Sequence, residues 1–197
     1  MKCYLMGLKH CNNVASACAP PNIGLAHELI ESVVKLGQTP FDFTIKALTV
    51  KCDGIHYSDD LSIVKTIWLN YQPNSLAWPL FSEKLKTIIE RVLTGKEGVK
   101  WISSNVCYKD EIRKYYIPYF TRELDVLNKK KCLYSNNGSL IKPAFSSSKI
   151  QEYSMFPKPS MNGLWQITPA IYISDKVKEE LIKAKISGLA FEPTLIY

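Results

Sequence analysis

The residues best suited to metal binding or nucleophilic chemistry in this chain are its histidines and cysteines. Six cysteines are scattered along the sequence without a Cys-x-x-Cys pair: Cys3, Cys11, Cys18, Cys52, Cys107 and Cys132. His10 and Cys11 are adjacent, and two further candidate ligands, Cys18 and His27, follow at longer spacings. Zinc sites bring their ligands in closely spaced pairs, so this pattern fits none of them. We therefore interpret the cysteines as reduced thiols and predict no metal or other cofactor.

The sequence also contains no motif of a known catalytic site. It has no G-x-S-x-G, GxGxxG, phosphate-binding loop or H-E-x-x-H pattern. A Cys-His or Ser-His pair stays open, since catalytic partners need not be neighbours in sequence. His27 is expected on the polar side of the first predicted helix, which favours a surface residue. The expectation is a protein that is not an enzyme, and an uncharacterised small enzyme remains an alternative.

One cluster of charged residues is a candidate for binding a protein partner. Asp53, Asp59 and Asp60 surround His56 in the sequence. Acidic side chains there would complement a basic surface on the partner. Aspartate is equally typical of turns and of helix starts, so solvated acids at such places are the other interpretation. The candidate partner-binding residues are thus Asp53, His56, Asp59 and Asp60.

Composition and charge restrict the classes of protein to consider. The chain has 197 residues, of which 46% are hydrophobic and 22% charged, with a net charge of +7. No apolar run reaches the roughly 18 residues of a membrane span, so no membrane association is predicted. The charge permits a nucleic-acid-binding module, which is kept as an alternative. However, its one basic block, Lys129, Lys130 and Lys131, lacks the interleaved aromatics of a base-stacking surface.

The N-terminus has some features of a secretion signal. Small residues at positions 15–19 follow a basic residue, Lys2, and a short apolar patch at 3–8. That patch has roughly 6 residues, whereas a signal peptide requires an apolar core of about 7 to 15. We therefore expect a cytoplasmic protein whose first residues form a strand, and leave open whether this segment is processed.

The clearest pattern lies in residues 165–193, which predict strand, helix, turn and strand. Ser174 is a good N-cap, Asp175 suits the first turn, and apolar residues then recur along one helical face. Gly188 is expected to take the left-handed conformation that ends a helix, and a strand follows as far as Pro193. Elsewhere, Asn22 is predicted to cap a first helix, residues 61–69 weakly favour a helix, and Asp53 with Gly54 predicts a hairpin turn.

An internal repeat links the middle of the chain to its end. Residues 80–86 match residues 172–178 type for type, and a glycine followed by a short apolar run comes after each, at 98–101 and 188–191. Capped helices before strands also look alike without any repeat. The prediction is an α+β (mixed α/β) fold with two similar helix-strand lobes around a mixed or antiparallel sheet. The lobes would span residues 1–107 and 108–197, with one continuous domain as the alternative.

The order of these pieces resembles the immunity proteins of bacterial polymorphic toxin systems, namely immunity family eleven and its relatives. The resemblance covers roughly the C-terminal two thirds of the chain and rests on short structural motifs. The matching segments are residues 79–85, 98–101, 115–117, 124–127, 172–178 and 186–193, the last with a Gly-x-x-Phe-x-Pro ending.

Such a resemblance implies a cytoplasmic protein that binds and neutralises a cognate toxin C-terminal domain by direct contact, in contact-dependent competition between bacteria. It implies no catalytic residues in this chain, since recognition surfaces in such proteins differ with the toxin. The matched residues are accordingly interpreted as structural framework.

Overall fold

The computed structural model describes residues 2–9, 13–160 and 164–197. Within them the chain forms thirteen strands and four helices. The strands are β1 (Cys3–Leu8), β2 (Val14–Cys18), β3 (Phe43–Lys51), β4 (Gly54–Ser58), β5 (Tyr71–Gln72), β6 (Leu80–Ser82), β7 (Val99–Tyr108), β8 (Glu111–Phe120), β9 (Leu133–Tyr134), β10 (Leu140–Lys142), β11 (Met155–Pro157), β12 (Ile171–Ser174) and β13 (Leu189–Pro193). The helices are α1 (Ile30–Leu36), α2 (Glu83–Val92), α3 (Ser147–Ile150) and α4 (Asp175–Lys183).

Two sheets and one small hairpin organise these elements. The larger sheet has the order β2-β3-β7-β8-β6-β5, with β4 paired to β3, and the smaller has the order β11-β12-β1-β13. The pairing of β3 with β7 is parallel, whereas the other pairings between strands are antiparallel. The predicted mixed α+β class is confirmed, and the sheets are mixed and antiparallel as expected.

The predicted repeat of helix-strand units is present in both sheets. In the first unit β6, α2 and β7 follow one another along the chain, and β8 lies between the two strands in the sheet. In the second unit β12, α4 and β13 follow one another along the chain, and β1 lies between β12 and β13 in the sheet. Even the outer neighbours correspond, since β5 flanks β6 as β11 flanks β12.

The residue register of the two units also agrees. Phe81 of the first unit pairs with Tyr116, and the matching Ile173 of the second pairs with Tyr4. One strand further, Val99 pairs with Phe120 as Leu189 pairs with Leu8. A capped helix before a strand would not by itself fix this register, because register depends on the pairing of strands distant in sequence. The sequence similarity thus reflects a repeated three-dimensional unit.

The predicted boundary between the lobes, at 107/108, falls inside β7, which pairs with β8 over ten residue pairs. In addition, β1 from the start of the chain lies between two strands from its end. These pairings favour the alternative of one continuous domain. The division into two lobes at this position stays a prediction.

Three apolar clusters fill the interior. The first joins both sheets to α2 and α4, whose buried residues include Leu85, Ile89, Val177 and Leu181. The second packs α1 and Trp78 on the larger sheet. The third lies on β1 and β12, under residues 124–156. No helix within the described residues is long and apolar enough to cross a membrane.

Three local predictions are wrong. The first helix begins at Ile30 and not after Asn22, because Asn22 and Gly24 take positive φ angles of 65° and 96° that interrupt a helix. Residues 61–69 form turns and bends instead of a helix, in keeping with their β-branched composition. Helix α4 already ends at Lys183, so Lys185, at φ 53°, is the left-handed residue after the helix; Gly188 is left-handed as predicted, at φ 85°, but it does not end the helix.

Candidate protein-binding surface

The predicted partner-binding residues lie on or beside the hairpin that β3 and β4 form. Its strands pair from Ala47 with Ser58 to Lys51 with Gly54, so the two turn residues are Cys52 and Asp53, and Gly54, which was predicted in the turn, is the first residue of β4. Gly54 has a φ of 132°, a conformation that side-chain-bearing residues rarely adopt. Within the described residues, β2 pairs with β3 only as far as Leu48. The outer part of the hairpin therefore projects beyond its neighbouring strand.

The four candidate residues form two separate groups. His56 Nε2 lies 2.7 Å from Asp53 Oδ1 near the turn. Asp59 and Asp60 follow the other end of β4, three and four residues beyond His56, which is roughly 10 to 14 Å at about 3.4 Å per residue. The structure thus brings Asp53 to His56, as expected for residues three apart in a hairpin turn. It does not gather the four into one acidic cluster.

All three aspartates already have a cationic or polar partner, and that of Asp53 is His56. Asp59 Oδ1 lies 3.0 Å from the ammonium group of Lys46. Hydrogen bonds from Ser62 hold the pKa of Asp60 below its ordinary value. Ion pairs this exposed contribute little to stability, because water screens them. The carboxylates are consequently free to exchange partners when another protein binds.

Between the two groups lies an apolar face that the sequence analysis missed. Val50 is paired with Ile55, and Leu48 with Tyr57, so these side chains share one face of the hairpin. Val50 is 56% exposed, Ile55 61% and Tyr57 42%. Alternation of apolar residues in 55–57 was the available signal. It could not show exposure, which depends on what packs against this face in the folded chain.

The outer edge of β4 is the second feature of this surface. All five residues of β4 are exposed, and β4 pairs with β3 and with no other strand in the described part of the chain. An edge strand offers backbone N–H and C=O groups to a strand of another protein. The hairpin thus combines a free strand edge, exposed apolar side chains and charged groups at each end.

The candidate catalytic thiols sit in environments that keep them protonated. Burial raises the pKa of Cys3 to about 12 and that of Cys18 to about 11. Burial and the nearby carboxylate of Asp42 raise the pKa of Cys107. Nucleophilic attack requires the thiolate, so these three cysteines are poor nucleophiles at neutral pH. Cys52 is exposed beside the hairpin turn.

The possible metal ligands can be placed only in part. His10 and Cys11 lie outside the described residues. Cys18 is buried in β2, while His27 is exposed before α1. Among the residues that the structure does describe, no group of three or more His, Cys, Asp or Glu side chains could hold a metal ion.

A comparison with protein-family models and with curated proteins finds no match for this chain. The segments that carry the resemblance to immunity proteins lie chiefly in the two repeated units, at β6, α2, β7 and β8 and at β12, α4 and β13. Residues 124–127 contribute Leu124 and Val126 to the third apolar cluster. These segments build the framework, and they do not include the β3–β4 hairpin.

Proposed function

We propose that this chain is an immunity protein that binds and neutralises a cognate bacterial toxin domain by direct protein-protein contact, without catalysis, in the cytoplasm. The observation that carries the proposal is the projecting β3–β4 hairpin. Its strand edge is open along β4, and Val50, Ile55 and Tyr57 are exposed beside it. Specific interfaces combine an apolar centre with a polar rim, which is the arrangement on this hairpin.

The proposed contact has three components. A strand of the toxin domain pairs with β4, which supplies main-chain hydrogen bonds. The apolar side chains of the hairpin are covered by the partner and supply most of the buried area. Basic groups of the toxin face Asp53 at one end, and Asp59 and Asp60 at the other, which favours basic partners over acidic ones.

The proposal is tested with the toxin C-terminal domain that a neighbouring open reading frame encodes. Co-expression with this chain should restore growth, and the two proteins should co-purify. A titration of toxin activity separates inhibition by binding from catalysis. A binding inhibitor abolishes activity at equimolar amounts, whereas an enzyme would do so at a small fraction of that amount.

Absence of a complex would overturn the proposal, and so would inactivation of many toxin molecules by one molecule of this chain. The matched control is Lys176→Met on the exposed surface of α4, which should protect as well as the natural sequence.

A basic nucleic-acid-binding module is the second candidate, supported by one observation. Lys129, Lys130 and Lys131 are exposed, and within the described residues none has a carboxylate within 4.0 Å. Each phosphate contact would add to the salt dependence of binding. Binding to random DNA that persists at physiological ionic strength, with a steep salt slope, favours this candidate. Loss of binding at that ionic strength removes it.

A further inference from the structure

A cavity of about 440 Å³ lies away from the hairpin, and no residue of β3 or β4 lines it. Its walls come from α1, from residues 76–78, from β10, and from the chain before and after residues 161–163. Sites for small organic molecules commonly have volumes of about 300 to 1,000 Å³. The cavity is therefore large enough for such a molecule.

Most of the cavity wall is apolar. Part of the wall comes from three residues that are otherwise almost completely buried, namely Ile30, Trp78 and Ile167. Leu140 and Leu164 complete this apolar wall. Such a wall favours a hydrocarbon or aromatic group, because the transfer of apolar surface from water to an apolar environment is favourable. The ligand should accordingly have an apolar body.

The ionisable side chains among the described lining residues are basic ones. Lys158 and His27 contribute to its lining, and the described lining residues include neither aspartate nor glutamate. A backbone hydrogen bond of 2.8 Å from Lys158 N to the carbonyl oxygen of Ala170 fixes the position of this lysine. Within the described residues no carboxylate lies within 4.0 Å of the Lys158 ammonium group. That group is available to an anion.

Ser160 supplies a third polar feature. Its hydroxyl oxygen is buried and has no hydrogen-bond partner among the described residues. Buried hydroxyl groups in proteins nearly always have a partner, so this one calls for an explanation. Rotation of the Ser160 side chain toward the cavity would bring this buried hydroxyl to a ligand oxygen, which would provide the partner.

We infer that this cavity binds a small organic carboxylate with an apolar body. The carboxylate group pairs with the ammonium group of Lys158 and accepts a hydrogen bond from Ser160, while the hydrocarbon packs against Trp78 and Ile167. This ligand site goes beyond the proposed toxin binding and does not depend on it.

The test uses the full chain and three probes that share one hydrocarbon tail: octanoate, octanol and octylamine. Isothermal titration calorimetry should show octanoate binding more tightly than the other two. Lys158→Met keeps the aliphatic stem and removes the charge, so octanoate should bind about tenfold more weakly, as expected when a charge-assisted contact is lost. Ser160→Ala should weaken it about threefold.

Two further variants make the outcome decisive. Lys176→Met on α4 removes an exposed charge far from the cavity wall and should leave octanoate affinity unchanged. Leu140→Trp fills the cavity and should abolish binding while the circular dichroism spectrum stays that of the natural chain. Absence of octanoate binding, equal affinity for octanoate and octylamine, or unchanged affinity in Lys158→Met would overturn the proposal.

Discussion

The ammonium group of Lys178 on α4 lies 3.7 Å from the centre of the Tyr4 ring on β1. In the other repeated unit, Lys86 on α2 lies 4.6 Å from the centre of the Tyr116 ring on β8. Lys178 and Lys86 occupy matching positions in the sequence repeat, and Tyr4 and Tyr116 match in strand register. The repeat thus extends to a pair of interacting side chains that bind each helix to the central strand of its unit.

Replacing Lys178 tests whether this contact stabilises the fold. We expect Lys178→Met to lower the free energy of unfolding by about 0.5 to 2 kcal/mol, because a cation over an aromatic face is lost from a partly buried site. Urea denaturation measures the change, and exposed Lys176→Met is the control, expected to stay within about 0.5 kcal/mol of the natural chain. Equal effects of the two substitutions would show that the ring contact contributes nothing.

A second prediction concerns the close approach of Gly188 to the backbone of Tyr71. A Cβ atom at Gly188 would lie 2.3 Å from the carbonyl oxygen of Tyr71, and its φ is 85°. Gly95 has a similar φ of 83° and nothing within 4 Å of its Cβ position. Both alanine variants suffer the backbone strain of about 1 to 3 kcal/mol, but only Gly188→Ala adds a clash with rigid backbone.

Thermal denaturation of the two glycine variants should therefore differ clearly. Gly188→Ala is expected to melt well below Gly95→Ala, since Tyr71 is buried in β5 and its N–H donates to the carbonyl oxygen of Ser187, which holds the two backbone segments together. Similar melting temperatures would mean that the backbone around Tyr71 yields.

The core of α4 gives a third prediction with a matched neighbour. Leu181 is 1% exposed and packs in the first apolar cluster, whereas Ile182 is 56% exposed. Leu181→Ala should cost roughly 2 to 5 kcal/mol through lost burial and a cavity. Ile182→Ala should change the free energy of unfolding by less than about 0.5 kcal/mol. A decrease in the free energy of unfolding of less than about 0.5 kcal/mol in Leu181→Ala would contradict the packing of α4 between the sheets.

Local chemistry explains which parts of the fold were predictable. Ser174 and Ser82 were visible as N-caps because capping depends on neighbouring residues, and both accept the hydrogen bond expected of a cap. The insertion of β1 between β12 and β13 was not predictable. It depends on pairing between the two ends of the chain, which no local pattern encodes.

On the candidate protein-binding surface, too, one feature follows from the local sequence and another does not. The Asp53-Gly54 pair predicts a hairpin turn, and the pairing of Lys51 with Gly54 places that turn one residue earlier, at Cys52 and Asp53. The exposure of Val50, Ile55 and Tyr57 does not follow from their types, which are more often buried. It depends on which parts of the folded chain cover this face of the hairpin, and no local pattern encodes that.

The buried thiol of Cys3 makes stability depend on pH. Burial raises its pKa to about 12 in the folded chain from an ordinary value of 9.0. Between these values the folded state binds more protons than the unfolded state, so stability falls as pH rises from 9 toward 12. The slope for one such group is about 1.4 kcal/mol per pH unit.

Urea denaturation at a series of pH values measures this dependence. In Cys3→Ala the free energy of unfolding should fall less steeply with pH than in the natural chain, whatever its absolute value. Exposed Cys52→Ala is the control and should leave the slope unchanged. Parallel curves for Cys3→Ala and the natural chain would mean that the thiol does not titrate with folding.

The proposed toxin interface predicts separable effects of charge and of apolar contact on the hairpin. Replacing Asp59 and Asp60 with lysine reverses the charge at the end of β4, so a basic partner should associate more slowly and bind more weakly. Tyr57→Ala removes a large exposed side chain from the centre, which should raise the dissociation rate. Surface plasmon resonance on the toxin domain measures both rates. The control is Lys176→Met, on α4 and away from the hairpin. Unchanged rates in both hairpin variants, with the complex intact, would place the interface elsewhere on the protein.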